Sequence, residues 1–263
     1  MTSPTLACHV LRDGAGVPLL LLHAFPFDHR MWAPVVTHLP DGLRVLAVDL
    51  PGHGHSDLGG IPPSLDAAAD AVYATMRAQG EGNVVVAGLS MGGYVALALA
   101  DRHPDLVHGV GLLDTKSTVD PDEVRANRLE IARTVEDTQT LDAVKGMPAK
   151  VLGPTSHLER RSLYPTVDHW IRSQSPAGVA WAQRAMAARP DRTHVVAEFD
   201  GPVAIVVGAE DQITPVADAK HLAAASRDAT LTIVPNAGHL SAVEEPAAVA
   251  AVLAALHTRA TRR

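Results

Sequence analysis

A serine stands between two glycines in Gly88-Leu89-Ser90-Met91-Gly92. There the apolar run "NVVVAGL" (83–89) passes into an Ala-rich segment with no proline and no charge before Asp101. A strand that turns sharply into a helix holds its turn residue at positive φ. Side chains two residues either side of such a turn collide where helix and strand nearly touch. Gly88 and Gly92 remove them, and Gly93 eases the same packing. The Ser90 hydroxyl would then project past the carboxyl end of a sheet, where open α/β sheets place their ligands. It would also sit at a helix N-terminus, whose free N–H groups and dipole favour developing negative charge. With 20 glycines and 11 serines in 263 residues, a Gly-x-Ser-x-Gly run arises by chance about 0.06 times per chain, so the pattern carries information.

A serine hydroxyl is a weak nucleophile and needs a base that is itself held by a carboxylate. Two loops offer these groups. Asp211, in Glu210-Asp211-Gln212-Ile213-Thr214-Pro215, follows the apolar run 202–209, and His239, in Asn236-Ala237-Gly238-His239, follows the run 229–235. Each loop leaves the carboxyl end of a strand and so faces the crevice that Ser90 faces. Ser, Asp, His is one of the three chain orders on which this geometry is built. The chemistry such a set performs is attack of Ser90 on an acyl carbon. His239 takes the proton, and Asp211 fixes the imidazole tautomer. Asp114, at the end of the run 107–114, is a competing acid. Glu210 is a third candidate and is expected to face solvent.

The elements that must position these residues are legible from hydrophobic period. Segments 17–23, 43–50, 83–89, 107–114, 202–209 and 229–235 read as buried strands. Helices are expected at about 29–38, 65–79, 91–103, 215–226 and 242–258, with Asp28 and Ser64 as N-caps of the first two. Alternation of such strands with helices implies a mostly parallel wound sheet covered on both faces. From Lys116 to Arg189 no strand is visible, and four segments carry helical apolar stripes, an all-helical insertion between two strands of one sheet.

A chain of this length buries about three quarters of the surface it exposes when unfolded. Aromatics are 3%, so the core must be mostly Ala, Val and Leu. A net charge of −7 argues against a general nucleic-acid binder, which would need a basic face. Cys8 is the one cysteine, which excludes an intramolecular disulfide. It could be a nucleophile, though a small apolar residue in an N-terminal strand is the simpler reading. The N-terminus lacks a basic then apolar leader, and no apolar run reaches the ~18 residues that cross a bilayer. The expected compartment is the cytoplasm, with no membrane partner.

The stretches "LLHAFPFDHRMW", "VDLPGHGHSD", "GLSMGG", "GAEDQITP" and "NAGHLSAVEEP" together resemble the α/β-hydrolase family over nearly the whole chain. Within it the likeness is to small serine esterases and lactonases. The resemblance implies the α/β-hydrolase fold, with a core of residues 1–115 and 190–263 and a helical cap of residues 116–189. It favours Asp211 over Asp114 as the acid. It implies an oxyanion hole from the N–H groups of Met91 and Phe25, since Pro26 has none to give. Ala24 departs from the glycine usual at its position. A serine at the elbow argues against the dehalogenases and epoxide hydrolases of similar fold, which carry aspartate there.

The implied activity is hydrolysis of small carboxylic esters or lactones through an acyl-enzyme on Ser90, with water as second substrate. No cofactor, no metal and no nucleic acid are implied, and the chain is expected to be a monomer or homodimer. An enol-lactonase, a cofactor-free perhydrolase or a receptor-like ligand-binding protein are the alternatives on the same residues. Phe27, Trp170 and Trp181 are the candidate substrate-lining residues. Trp170 and Trp181, like Tyr164 and Met147, lie on helical stripes that more often pack as core, whereas the motifs of Phe25, Phe27 and Met91 set them near Ser90. His23 is expected to shape the oxyanion loop and Asp49 to hold the "PGHGHSD" loop. His53 and His55 could be a metal pair, but sequence spacing gives them no further ligands. Lys116 could be a catalytic lysine, with a solvated lysine at the start of the cap the simpler reading.

Overall fold

The structure, a computed structural model, describes residues 5–262. Seven strands make one sheet: β1 (Cys8–Arg12), β2 (Ala15–Leu22), β3 (Leu43–Val48), β4 (Val84–Leu89), β5 (Val107–Leu113), β6 (Val203–Gly208) and β7 (Ala229–Val234). Their spatial order is β1-β3-β2-β4-β5-β6-β7. All neighbouring pairs are parallel except β1, which runs antiparallel to β3. β4 and β6 are buried along their whole length, the consequence of helices on both faces, and this is why they read as unbroken apolar runs. From β2 the chain crosses to β3 on one side, while β4 lies on the other, so the strand order reverses between β2 and β4. Ligands of open α/β sheets bind at such a switch point, and Leu22 stands opposite Gly88 across it.

The helices are α1 (Ala33–Val36), α2 (Leu65–Ala78), α3 (Met91–Arg102), α4 (Asp122–Thr138), α5 (Met147–Val151), α6 (Pro154–Glu159), α7 (Leu163–Arg172), α8 (Pro176–Ala187), α9 (Thr193–Glu198), α10 (Val216–Ala225), α11 (Ser241–Glu244) and α12 (Pro246–Thr261). Ser64 caps α2 by accepting from Asp66 and Ala67 N–H. Asp28 caps a 3-10 turn, His29–Trp32, that runs into α1, so the helix expected at 29–38 is broken in two. The helix expected at 242–258 is also two. Proline disfavours helical backbone in the residue before it, and Glu245, ahead of Pro246, sits at φ −133°, ψ 61°.

Helices α4 to α9 all lie between β5 and β6. The last of them, α9, begins after Arg189 and packs on α3 and α10, helices that cover the sheet itself. The edge strand β1 was legible only through Cys8. It is half-buried, with no residue fully inside, so it lacks the apolar run of the central strands. Among the described residues no helix is long and apolar enough to cross a membrane.

Candidate active site

Ser90 joins β4 to α3 with φ 53° and ψ −111°. The glycines around it are required by space. A Cβ on Gly88 would lie 2.1 Å from the Gly92 carbonyl oxygen, and one on Gly92 would lie 2.1 Å from that of Leu22. The elbow is tied to β5, since Ser90 N–H donates to Leu113 O at 2.9 Å and the Thr115 hydroxyl donates to Ser90 O at 2.8 Å.

Three loops at the carboxyl ends of β4, β6 and β7 bring Ser90, Asp211 and His239 together. Ser90 Oγ lies 2.9 Å from His239 Nε2, and His239 Nδ1 lies 2.8 Å from Asp211 Oδ2. All three side chains are buried. Asp211 accepts from Ile213 N–H (2.8 Å) and Thr214 N–H (3.1 Å) on Oδ1 and from the Thr214 hydroxyl (2.8 Å) on Oδ2. Its own loop thus fixes the carboxylate, and Oδ2 faces the imidazole. Thr214 was not anticipated, although an aspartate followed at short range by backbone donors and a threonine is a known local hydrogen-bonding pattern. Burial raises the Asp211 carboxyl, but the charge and hydrogen bond of His239, with Thr214 and Ile213, outweigh it and hold the group below its ordinary value. Burial likewise lowers the imidazole of His239, while Asp211, then Asp114 and Glu244, outweigh it and raise the group above its ordinary value.

Asp114 does not take the acid's place. It accepts from Gly208 N–H at 2.9 Å and from Ser241 N–H and hydroxyl at 3.1 and 2.5 Å. Burial, then the neighbouring Asp211 charge, push its carboxyl up to about 8. Glu210 is half-buried, with its carboxylate bonded rather than fully solvated. It accepts from Thr155 N–H (2.9 Å) and hydroxyl (2.5 Å) and so holds the start of α6.

Phe25 follows β2 and joins Pro26 through a cis peptide, and Met91 opens α3. The first N–H of a helix has no intrahelical acceptor, which leaves that of Met91 free for a ligand. Ala24 is accommodated without positive φ, and its carbonyl accepts from Phe27 N–H at 2.9 Å. His23 shapes this loop, as its residue type suggested. Its Nδ1 lies 2.8 Å from Ala24 O and its Nε2 accepts from Leu50 N–H at 2.8 Å. Burial keeps this imidazole neutral, with its pKa below the ordinary value.

Phe27 is buried in the same loop and meets the Trp170 ring edge-on at 6.4 Å. Trp181 donates from Nε1 to Ile61 O at 2.8 Å. Tyr164 is exposed, and Met147 packs against the core. Lys116 is an ion-pair partner of buried Asp120 at 3.1 Å, not a solvated lysine. Burial, then Glu81, raise the Cys8 thiol to about 11, which disfavours a thiolate nucleophile.

The helical insertion is anchored to the histidine loop by a residue that sequence reasoning missed. Buried Glu244 accepts from Gly238 N–H (2.9 Å) and Leu240 N–H (3.1 Å) on one oxygen. On the other it accepts from Gly153 N–H (2.8 Å) and the Ser156 hydroxyl (2.5 Å). His239 N–H itself donates to Val151 O at 2.9 Å. Nothing in the local sequence signals Glu244 beyond its place in "NAGHLSAVEEP".

His53 and His55 do not act as a pair. His53 is buried against His23, and burial pushes it down to about 3. His55 instead stands beside His9, His29 and Asp49, partners that spacing alone did not offer.

A model of the alpha/beta hydrolase fold family matches residues 17–246. The chain is 30% identical over 223 residues to a pimeloyl-acyl-carrier protein methyl ester esterase of Aromatoleum aromaticum, covering 81% of this chain and 87% of that one. A thermophilic esterase from Thermogutta terrifontis, solved with malate bound, superposes with a TM-score of 0.91 and 31% identity over 97% of this chain and 93% of that one. The enol-lactonase from Burkholderia xenovorans superposes with a TM-score of 0.84 and 26% identity over 96% of each chain.

Proposed function

This chain belongs to the α/β-hydrolase family, and from that premise we propose that it is a serine hydrolase of small carboxylic esters or lactones. The observation that carries the reading is the unbroken hydrogen-bonded chain from Asp211 through His239 to a serine held at positive φ. Ser90 attacks the acyl carbon as its proton passes to His239 Nε2, and Asp211 stabilises the imidazolium. The N–H groups of Phe25 and Met91 receive the oxyanion, an interaction worth roughly 100- to 1,000-fold in turnover for each donor. His239 returns the proton to the leaving alkoxide, and water repeats the sequence on the acyl-enzyme. Residues 116–189 act as the cap that closes over the acyl group, with Phe27, Trp170 and Trp181 as its lining.

The likeness to an enol-lactonase favours lactones as well as open esters among the substrates to try. The test is a panel of p-nitrophenyl esters and lactones on wild type and Ser90→Ala. Turnover should continue past one equivalent in wild type and fall on the order of 10⁴- to 10⁶-fold in the variant. Equal rates would remove the serine mechanism, and release that stops near one equivalent would make the chain a binding protein.

A further inference from the structure

We propose that His9, His29, Asp49 and His55 bind one divalent first-row transition ion, zinc above all, at a site separate from the Ser90 centre. The four residues are far apart in sequence. The antiparallel pairing of β1 with β3, which sets His9 opposite Ala47, brings His9 beside Asp49, one residue past the end of β3. His29 opens the turn after the β2 loop, and His55 lies in the "PGHGHSD" loop.

One ligand atom from each residue lies within 4.8 Å of all the others. With Asp49 Oδ2 as the ligand atom, His9 Nε2 lies 2.8 Å and His29 Nδ1 3.2 Å from it. Zinc–ligand bonds of about 2.0–2.1 Å at the tetrahedral angle put donor atoms about 3.3 Å apart. The two short pairs must therefore open slightly and the wider ones close by an ångström or so. Imidazole rotation supplies that movement, most freely at His55, whose residue is exposed.

The donor set decides the class of ion. Three imidazoles and one carboxylate, without a thiolate, suit Zn²⁺, Ni²⁺ or Cu²⁺ and not the all-oxygen shells of Mg²⁺ and Ca²⁺. The carboxylate is already aimed. Asp49 is fully buried and accepts the backbone N–H of His29 at 2.8 Å and of His55 at 2.9 Å, the kind of outer support that orients a ligand. A Cβ on Gly54 would lie 2.3 Å from Asp49 Oδ2, so the loop closes tightly over the carboxylate there. The His9 and His29 rings stack at 3.5 Å, and the His55 ring lies 5.4 and 5.7 Å from them. Holding the loop requires only the backbone N–H of His55. Its imidazole, turned toward the other two rings, is accounted for by a shared ion.

The experiment is titration calorimetry with ZnCl₂ on the full chain, freed of any polyhistidine tag and stripped with a chelator. It is paired with Co²⁺ absorption and thermal melting. Wild type should bind one Zn²⁺ per chain with a Kd on the order of micromolar or tighter, show the intense visible bands of tetrahedral Co²⁺, and melt higher with zinc. His9→Ala and His55→Ala should each weaken binding at least about ten-fold and abolish the Co²⁺ bands. His194→Ala, at an exposed histidine outside the cluster, should change neither. Absence of binding in wild type would overturn the proposal. So would affinity unchanged in the His9→Ala/His55→Ala double variant.

Discussion

Two buried aspartates bias the charge of His239, and Asp211 holds its hydrogen bond. Asp114 spends its oxygens on Gly208 and Ser241, and burial with the neighbouring Asp211 charge raises its carboxyl to about 8. With no hydrogen bond to the imidazole, it cannot fix the tautomer or orient the ring as Asp211 does. Asp211→Asn should therefore cost about 10⁴-fold in turnover, whereas Asp114→Asn should stay within about ten-fold, both read as kcat on a p-nitrophenyl ester. The pH profile separates them further. His239 must be neutral to accept a proton, and Asp211 helps hold it above its ordinary value of 6.5. The acid limb of kcat/KM should fall above that pH in wild type, and it should move to lower pH in Asp211→Asn. An acid limb unmoved in Asp211→Asn would assign the charge coupling elsewhere.

The β4–α3 elbow shows what one element demands of its neighbours. Gly92 abuts the Leu22 carbonyl of β2, and β2 is held there by its pairing with β4. Neither backbone can yield without breaking the ladder that carries Ser90 and the Phe25 loop. Overpacking typically costs about 1–3 kcal/mol, and more where the backbone must move. Gly92→Ala should thus lose about 3 kcal/mol or more in urea unfolding. Gly82→Ala, with no atom within 4 Å of its new Cβ, should stay within about 0.5 kcal/mol. The same contrast explains how far the sequence could be read. Central strands announce themselves because both faces are buried, and the elbow does so because glycine alone fits. The half-buried edge strand β1 gave little pattern. The break at Glu245 was marked by Pro246, yet apolar period alone ran through it. The histidine cluster and the clamp at Glu244 join residues up to 91 positions apart, and no local spacing encodes such a meeting.

Across the whole molecule the helical insertion is bonded to the loops that carry the chemistry, not merely laid on them. Gln174, beyond α7, donates to Asp28 Oδ2 at 2.8 Å and accepts from Gly54 N–H at 3.0 Å, which ties the insertion to the Phe25 loop. Trp181 ties α8 to the β3–α2 loop. Glu244 ties the α5–α6 junction to both sides of His239. Opening the insertion therefore loosens the base as well as the pocket. Glu244→Gln keeps the shape but turns an N–H₂ toward backbone N–H groups that the carboxylate accepted, a mismatch worth about 1–3 kcal/mol. Hydrogen exchange should then rise at Gly153, Gly238 and Leu240 together while the β4 and β5 amides keep their protection, because local opening follows connected units. Turnover should fall, and the acid limb should move to lower pH by less than in Asp211→Asn, since Glu244 is a weaker contributor than Asp211 to the charge that raises His239. Exchange that rises at Gly153 alone would show that the insertion moves without the histidine loop.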